Sequence, residues 1–287
     1  KPFIIIVSGP TAVGKTTFSI KLAQDLNSEI VNIDSVQAYK EFNIGSAKPT
    51  QEELSLAKHH MVDIYNPDER IDAKKYAKGA EEAINKVLSK GKIPILSGGT
   101  GLYLKAALET KMISNQSLSS FQLDHGFANS KYNFLILFLN RKRKNLYERI
   151  NRRTQMMIDQ GIIEETKSIM DKHGSDLQVF SSIGYSDVLK YINNEIDKEQ
   201  LIESISQSTR RFAKRQMTFW RNEPIKRNWK VSPSNSTEYD FLDKTMKNEK
   251  SFLVFDYSYE QLLSKIKLEL SSNKLKSHLW NLNQEKL

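Results

Sequence analysis

The run Gly9-Pro10-Thr11-Ala12-Val13-Gly14-Lys15-Thr16 has the spacing G-x-x-x-x-G-K-[ST]. A buried strand before it and a helix after it are the context in which this pattern holds phosphate. Successive backbone N–H groups and the positive end of the helix make an anion cradle, Lys15 adds a point charge, and the Thr16 hydroxyl is placed to ligate Mg²⁺. The cradle suits a nucleoside triphosphate or a diphosphate attached to something else. Asp34 and Ser35 follow the second apolar run, so they emerge at the same edge. A carboxylate there suits a metal ligand or a general base, or an N-cap for a helix after it. Gln37 and Tyr39 come next, both able to hydrogen-bond to a base or stack on it. Ser97-Gly98-Gly99-Thr100-Gly101-Leu102-Tyr103 follows a third apolar run. Its glycines allow either a close approach to a ligand or simply a tight strand-to-helix turn. His59 and His60 are adjacent, so their side chains diverge in a strand or a helix, and no spacing supports zinc.

The elements that must position these residues are legible as alternation. Four apolar runs read as buried strands: Phe3–Val7, Glu29–Ile33, Ile93–Leu96 and Phe134–Leu139. Helical patterns at Thr16–Leu26 and Lys74–Lys90 lie between them. The fold class expected is α/β, a P-loop NTPase-like parallel sheet flanked by helices, with ligands at the carboxyl ends of the strands. The second half changes character. Lys142–His173 and Ile196–Arg221 read as long basic helices, Leu177–Leu189 as loop and short helix, Ser251–Tyr257 as a strand, and Tyr259–Leu270 as an amphipathic helix. The divisions expected are a core over 1–140, a basic helical region over 141–230, and an extension of unassigned role over 231–287.

Composition narrows the classes. The longest uninterrupted apolar run is the six residues of Phe134–Leu139, far short of the roughly 20 that span a bilayer. There are no cysteines, which excludes disulfide frameworks, zinc ribbons and cysteine nucleophiles. With no signal-peptide pattern ahead of the first strand, the expected location is the cytoplasm. The chain opens on Lys1, as expected if a few residues have been trimmed. The net charge is +9, and it is concentrated: residues 141–153 hold seven basic residues and one acid, and residues 201–230 hold eight and two. In Thr209-Arg-Arg-Phe-Ala-Lys-Arg-Gln-Met-Thr-Phe-Trp-Arg221 the bases alternate with aromatics. Arg211, Lys214 and Arg215 share a face, suited to phosphates or to plain solvation.

Taken together, the phosphate loop, Asp34-Ser35-Val36-Gln37 with Tyr39, Gly45-Ser-Ala-Lys-Pro49, His59-His60-Met-Val-Asp-Ile64, Gly98–Tyr103, Gly184-Tyr185 and Thr209–Gln216 occur in an order that resembles the bacterial tRNA isopentenyltransferase family, from about Phe3 to Arg221. The resemblance implies transfer of a dimethylallyl group from dimethylallyl diphosphate to N6 of the adenosine 3′ of the anticodon. The tRNAs implied read codons beginning with uridine. Partners would be the tRNA anticodon stem-loop and dimethylallyl diphosphate, the cofactor Mg²⁺ held by Thr16, and the working unit a monomer.

By the same resemblance Asp34, Thr11 and Lys15 are catalytic, and Gly9 through Thr16 with Arg153 grip the diphosphate. Asp34, Ser35, Val36, Gln37 and Thr100 meet the target base, and Arg210, Arg211, Lys214 and Arg215 the RNA, so that the second half becomes a helical tRNA-binding part. The sequence departs from the family between Leu108 and about Leu118, where relatives carry several tens of residues more. The insertion is either lost here or missing from the chain as numbered, and the second is expected. Three rival activities remain. An isopentenyltransferase acting on free adenine nucleotides would need no arginine helix, a small-molecule kinase would use the loop for ATP, and an RNA-binding NTPase switch would not depend on Asp34.

Overall fold

The computed structural model describes residues 1–99, 101–108, 130–227, 258–271 and 278–284. In chain order these form β1 (Phe3–Ser8), α1 (Lys15–Asp25), β2 (Ile30–Asn32), α2 (Gln51–Leu56), β3 (His59–His60), α3 (Ala73–Leu88), β4 (Ile95–Ser97), α4 (Gly101–Leu108), β5 (Asn133–Asn140), α5 (Arg143–Asp159), α6 (Ile162–His173), a 3₁₀ turn (Gln178–Ser181), α7 (Tyr185–Ile192), α8 (Lys198–Arg227), α9 (Tyr259–Leu270) and β6 (His278–Asn283). The expected strand at Ser251–Tyr257 and the polar bridge Glu109–Ser117 lie outside the described residues.

The six strands form one parallel sheet in the order β3-β2-β4-β1-β5-β6. Buried on both sides, the central strands are continuously apolar, as parallel strands covered by helices must be. Alternate residues feed two cores. Ile4, Ile6, Val31, Leu96, Phe134, Ile136 and Phe138 pack under Tyr76, Ala80 and Ile84 of α3 and Leu201, Ile205 and Trp220 of α8. On the opposite side Phe3, Ile5, Val7, Leu135, Leu137 and Leu139 pack under Phe18 and Leu22 of α1, Leu146 and Ile150 of α5, and Leu262 and Ile266 of α9. No described helix is long and apolar enough to cross a membrane.

The structure corrects the expected long helix over Lys142–His173. It is two helices, because Gly161 turns the backbone to φ 95° between α5 and α6, a conformation that costs glycine nothing. Helix α8 runs beyond Arg221, through Pro224, to Arg227. The extension past residue 231 also supplies structure to the core. Helix α9 is capped by Ser258 and Gln261, and β6 pairs with β5 from Leu135↔His278 to Asn140↔Asn283.

Candidate active site

Strand order reverses around β1, whose neighbours are β4 and β5, and the crevice beyond the carboxyl ends of these strands is where an open α/β sheet binds ligands. β1, β2 and β4 end level, with Val7 and Asn32 both in register with Ser97. The phosphate loop, the Asp34 turn and the glycine segment after Ser97 therefore leave the sheet at one edge.

Within the phosphate loop, Gly9 and Gly14 take φ values of 145° and 112°, open to glycine and strained for other residues. The Lys15 ammonium folds back to donate to the carbonyls of Gly9 and Pro10, each at 3.0 Å. Burial, with the Arg153 guanidinium close by, brings Lys15 down to about 8, against an opposing pull from the Asp34 carboxylate. Arg153 is likewise lowered by burial, held up by Asp34 and depressed further by Arg149. Three of the expected residues, Lys15, Arg153 and Asp34, thus lie within electrostatic reach of one another, although they come from α1, α5 and the loop after β2. Thr16 stands half-buried in the first turn of α1.

Asp34 is half-buried. No helix follows Asp34 directly, so the expected N-cap is instead a turn cap: its Oδ1 accepts from the backbone N–H groups of Val36 at 3.0 Å and Gln37 at 3.3 Å, which occupies a single oxygen. Ser35, Val36 and Gln37 ride on this turn, all half-buried. Tyr39, in contrast, is a core residue. It is 3% exposed, and its hydroxyl donates to the Glu69 carbonyl at 2.9 Å, so it is not available to stack on a base. Thr100 lies outside the described residues. His59 and His60 do diverge: His59 Nδ1 faces the Ala57 carbonyl at 2.8 Å, and His60 Nε2 faces Glu29 at 2.7 Å.

The arginine helix is only partly an open stripe. Arg211, Lys214 and Arg215 are exposed, with the Arg215 guanidinium 5.7 Å from the Phe212 ring. Arg210 instead donates to Asn151 on α5 at 2.8 Å and to Glu203 at 2.6 Å. It fastens two helices together.

Three further groups meet the phosphate loop: Arg149, which with Arg153 matches arginines of the family pattern, and Gln216 and Gln284, which escaped the sequence reading. Gln216, buried on the inner face of α8, accepts from the Thr11 backbone N–H at 2.8 Å. Its amide also fills the space beside Gly99, where a Cβ would meet it at 2.3 Å. Arg149 donates from Nε to the Ala12 carbonyl at 2.9 Å. Gln284, just past β6, lies over Gly14, its Nε2 3.3 Å from where a Cβ would stand. Its Oε1 is buried with no partner. Gln216 lay within a recognised motif whose charges drew attention, whereas nothing local marks Gln284.

Fold and site together define a P-loop α/β protein whose phosphate loop has a lysine, an arginine and a carboxylate gathered at it, with a basic helix alongside. Known proteins agree. The model of the IPP transferase family matches residues 37–114 and 107–223. A tRNA dimethylallyltransferase of Oenococcus oeni is 37% identical over 223 residues, covering 78% of this chain and 86% of that protein. One of Macrococcus caseolyticus is 35% identical over 276 positions, covering 77% and 88%. Against the second, the alignment runs several tens of positions beyond the share of this chain it takes in. Against the first it does not. The solved tRNA delta(2)-isopentenylpyrophosphate transferase of Staphylococcus epidermidis superimposes with a TM-score of 0.73 at 26% identity, covering 94% of this chain and 99% of that one. The chain belongs to the IPP transferase family.

Proposed function

We propose that the chain transfers a dimethylallyl group from dimethylallyl diphosphate to N6 of the adenosine 3′ of the anticodon, in tRNAs reading codons that begin with uridine. The observation that carries this reading is the mutual electrostatic coupling of Lys15, Arg153 and Asp34 at the mouth of the phosphate loop. A bond forms between N6 and the allylic carbon as the carbon–oxygen bond to diphosphate breaks, and the N6 proton passes to Asp34. Adenine N6 is a weak nucleophile because its lone pair is delocalised, so a positioned base contributes about 10²- to 10⁴-fold. Asp34 keeps Oδ2 for that proton while Oδ1 holds its own turn.

The departing diphosphate gathers negative charge, and fixed donors aimed at that charge lower the barrier. Lys15 and Arg153 supply two cations, and the loop amides supply dipoles. Magnesium suits the donors present. Among the described residues no group of three His, Asp or Glu could cage a metal. The hard Thr16 hydroxyl together with diphosphate oxygens and water matches the way Mg²⁺ is usually held. When bound, the ion would neutralise charge on the leaving group. Arg211, Lys214 and Arg215 offer the exposed cations that RNA phosphates require, and a target base splayed from its loop would enter beside Asp34.

The test is mass analysis of tRNA nucleosides after incubation with the protein, Mg²⁺ and dimethylallyl diphosphate, with AMP as a parallel acceptor. Prenylated adenosine in tRNA alone supports the reading. Product on AMP alone would move the activity to free nucleotides.

A further inference from the structure

One carboxylate is heavily engaged yet plays no part in the chemistry above. Glu165, on α6, accepts from three successive backbone amides: Asn43 at 3.0 Å, Ile44 at 2.9 and 3.1 Å, and Gly45 at 3.3 Å. It also accepts from the Tyr185 hydroxyl at 2.6 Å. Consecutive amides converging on an anion form a nest, and bonds to an ionised acceptor are the strong ones. The Tyr185 ring closes the clasp by packing on Gly45, where a Cβ would come within 2.5 Å of it. On the other side Lys48 Nζ donates to the Tyr39 carbonyl at 2.7 Å and to Asn43 Oδ1 at 2.9 Å, and pairs with Asp63.

The clasped loop presents the carbonyls of Ser46 and Ala47 to Gln37, whose Nε2 donates to each at 3.0 Å. Both protons of that amide are thereby used. Gln37 is left with one function, as an acceptor at Oε1, and it sits in the turn that Asp34 holds together.

We propose that Glu165 is a positioning residue for recognition of the acceptor base: it clamps residues 43–47 so that Gln37 Oε1 is fixed to read an N–H donor on that base while Asp34, in the same turn, takes the proton. This rests on the reading of Gln37 as a base contact. An acceptor fixed in this way favours an amino purine over a 6-oxo purine, because a carbonyl facing Oε1 would leave two acceptors opposed.

Steady-state kinetics of the full chain, with an anticodon stem-loop RNA and dimethylallyl diphosphate as substrates, tests it. Glu165→Gln places an amide among donors and should raise KM for RNA about tenfold, a loss of one charge-assisted bond. KM for dimethylallyl diphosphate should stay within about twofold, since the phosphate loop is held by other residues. Tyr185→Phe should move KM for RNA in the same direction by less. Gln37→Ala should be the most affected, and adding Glu165→Gln to it should cost nothing further. A merely structural clasp predicts additive losses, or equal rises in both KM values, and either result overturns the inference. If Glu165→Gln does not fold, the cycle between Tyr185→Phe and Gln37→Ala reads the same coupling. Prenylation of the RNA by the wild-type chain is the control, and its absence would fail the proposed activity rather than this inference.

Discussion

The low basicity of Lys15 makes its diphosphate affinity depend on pH in a way that can be worked from the structure. The free protein holds this ammonium at about 8 because burial and Arg153 outweigh the Asp34 carboxylate. A diphosphate in the loop favours the charged form and pulls the proton back on. Binding is therefore coupled to proton uptake wherever the free lysine is neutral, so affinity falls as pH rises through about 8. Between pH 7 and 9 the charged fraction of the free protein drops from roughly nine-tenths to one-tenth, and affinity for inorganic diphosphate should fall by about tenfold. Calorimetric titration with diphosphate and Mg²⁺, repeated in buffers of different ionisation enthalpy, measures both the affinity and the protons taken up. At pH 8 about half a proton per diphosphate is expected. Lys15→Arg, which stays charged, should keep only the slope that the ionisation of diphosphate itself imposes. A wild-type profile no different from that of Lys15→Arg refutes the reasoning. The same shift carries a stability consequence with a definite sign. The native chain binds fewer protons than the unfolded one between about 8 and the ordinary lysine value of 10.5. Stability contributed by this residue therefore rises with pH across that window, by at most about 1.4 kcal/mol per unit.

Gly14→Ala should weaken diphosphate binding and lower stability by about 1–3 kcal/mol, since it forces a side chain into φ 112° against Gln284; thermal unfolding with and without diphosphate checks both. Gln216→Leu leaves the Thr11 N–H without its acceptor and should cost about 1–3 kcal/mol, read by chemical denaturation. Alanine at Arg211, Lys214 and Arg215 together should flatten the dependence of log K for tRNA on log salt by up to about 3, measured by filter binding. Arg210→Ala, which breaks the bonds to Asn151 and Glu203, should instead act chiefly on thermal stability.

The parallel core was legible because Phe3–Val7 and Phe134–Leu139 are apolar on both faces, a pattern that solvent-exposed elements do not have. The phosphate loop and Asp34 were legible because each immediately follows such a run. What lies three-dimensionally adjacent but far apart in sequence left no local mark. β6 carries Trp280 and Leu282 into the core from a short run broken by polar residues, which signals no strand by itself, yet it brings Gln284 to the phosphate loop. Glu165 reads as one more acid on an amphipathic helix until α6 is packed against residues 43–45. Gly161 was visible, but in a run of good helix formers its positive φ was outweighed by periodicity. Arg210 looked like its neighbours Arg211 and Lys214, and only the approach of α5 separates a fastened side chain from exposed ones.

Prenylation by Asp34→Asn, measured beside tRNA binding by the same variant, probes the heart of the mechanism. The amide keeps an acceptor for the turn but cannot take the N6 proton, so the rate on tRNA should fall by about 10²- to 10⁴-fold while tRNA affinity changes little. Prenyl transfer at the wild-type rate would contradict the account.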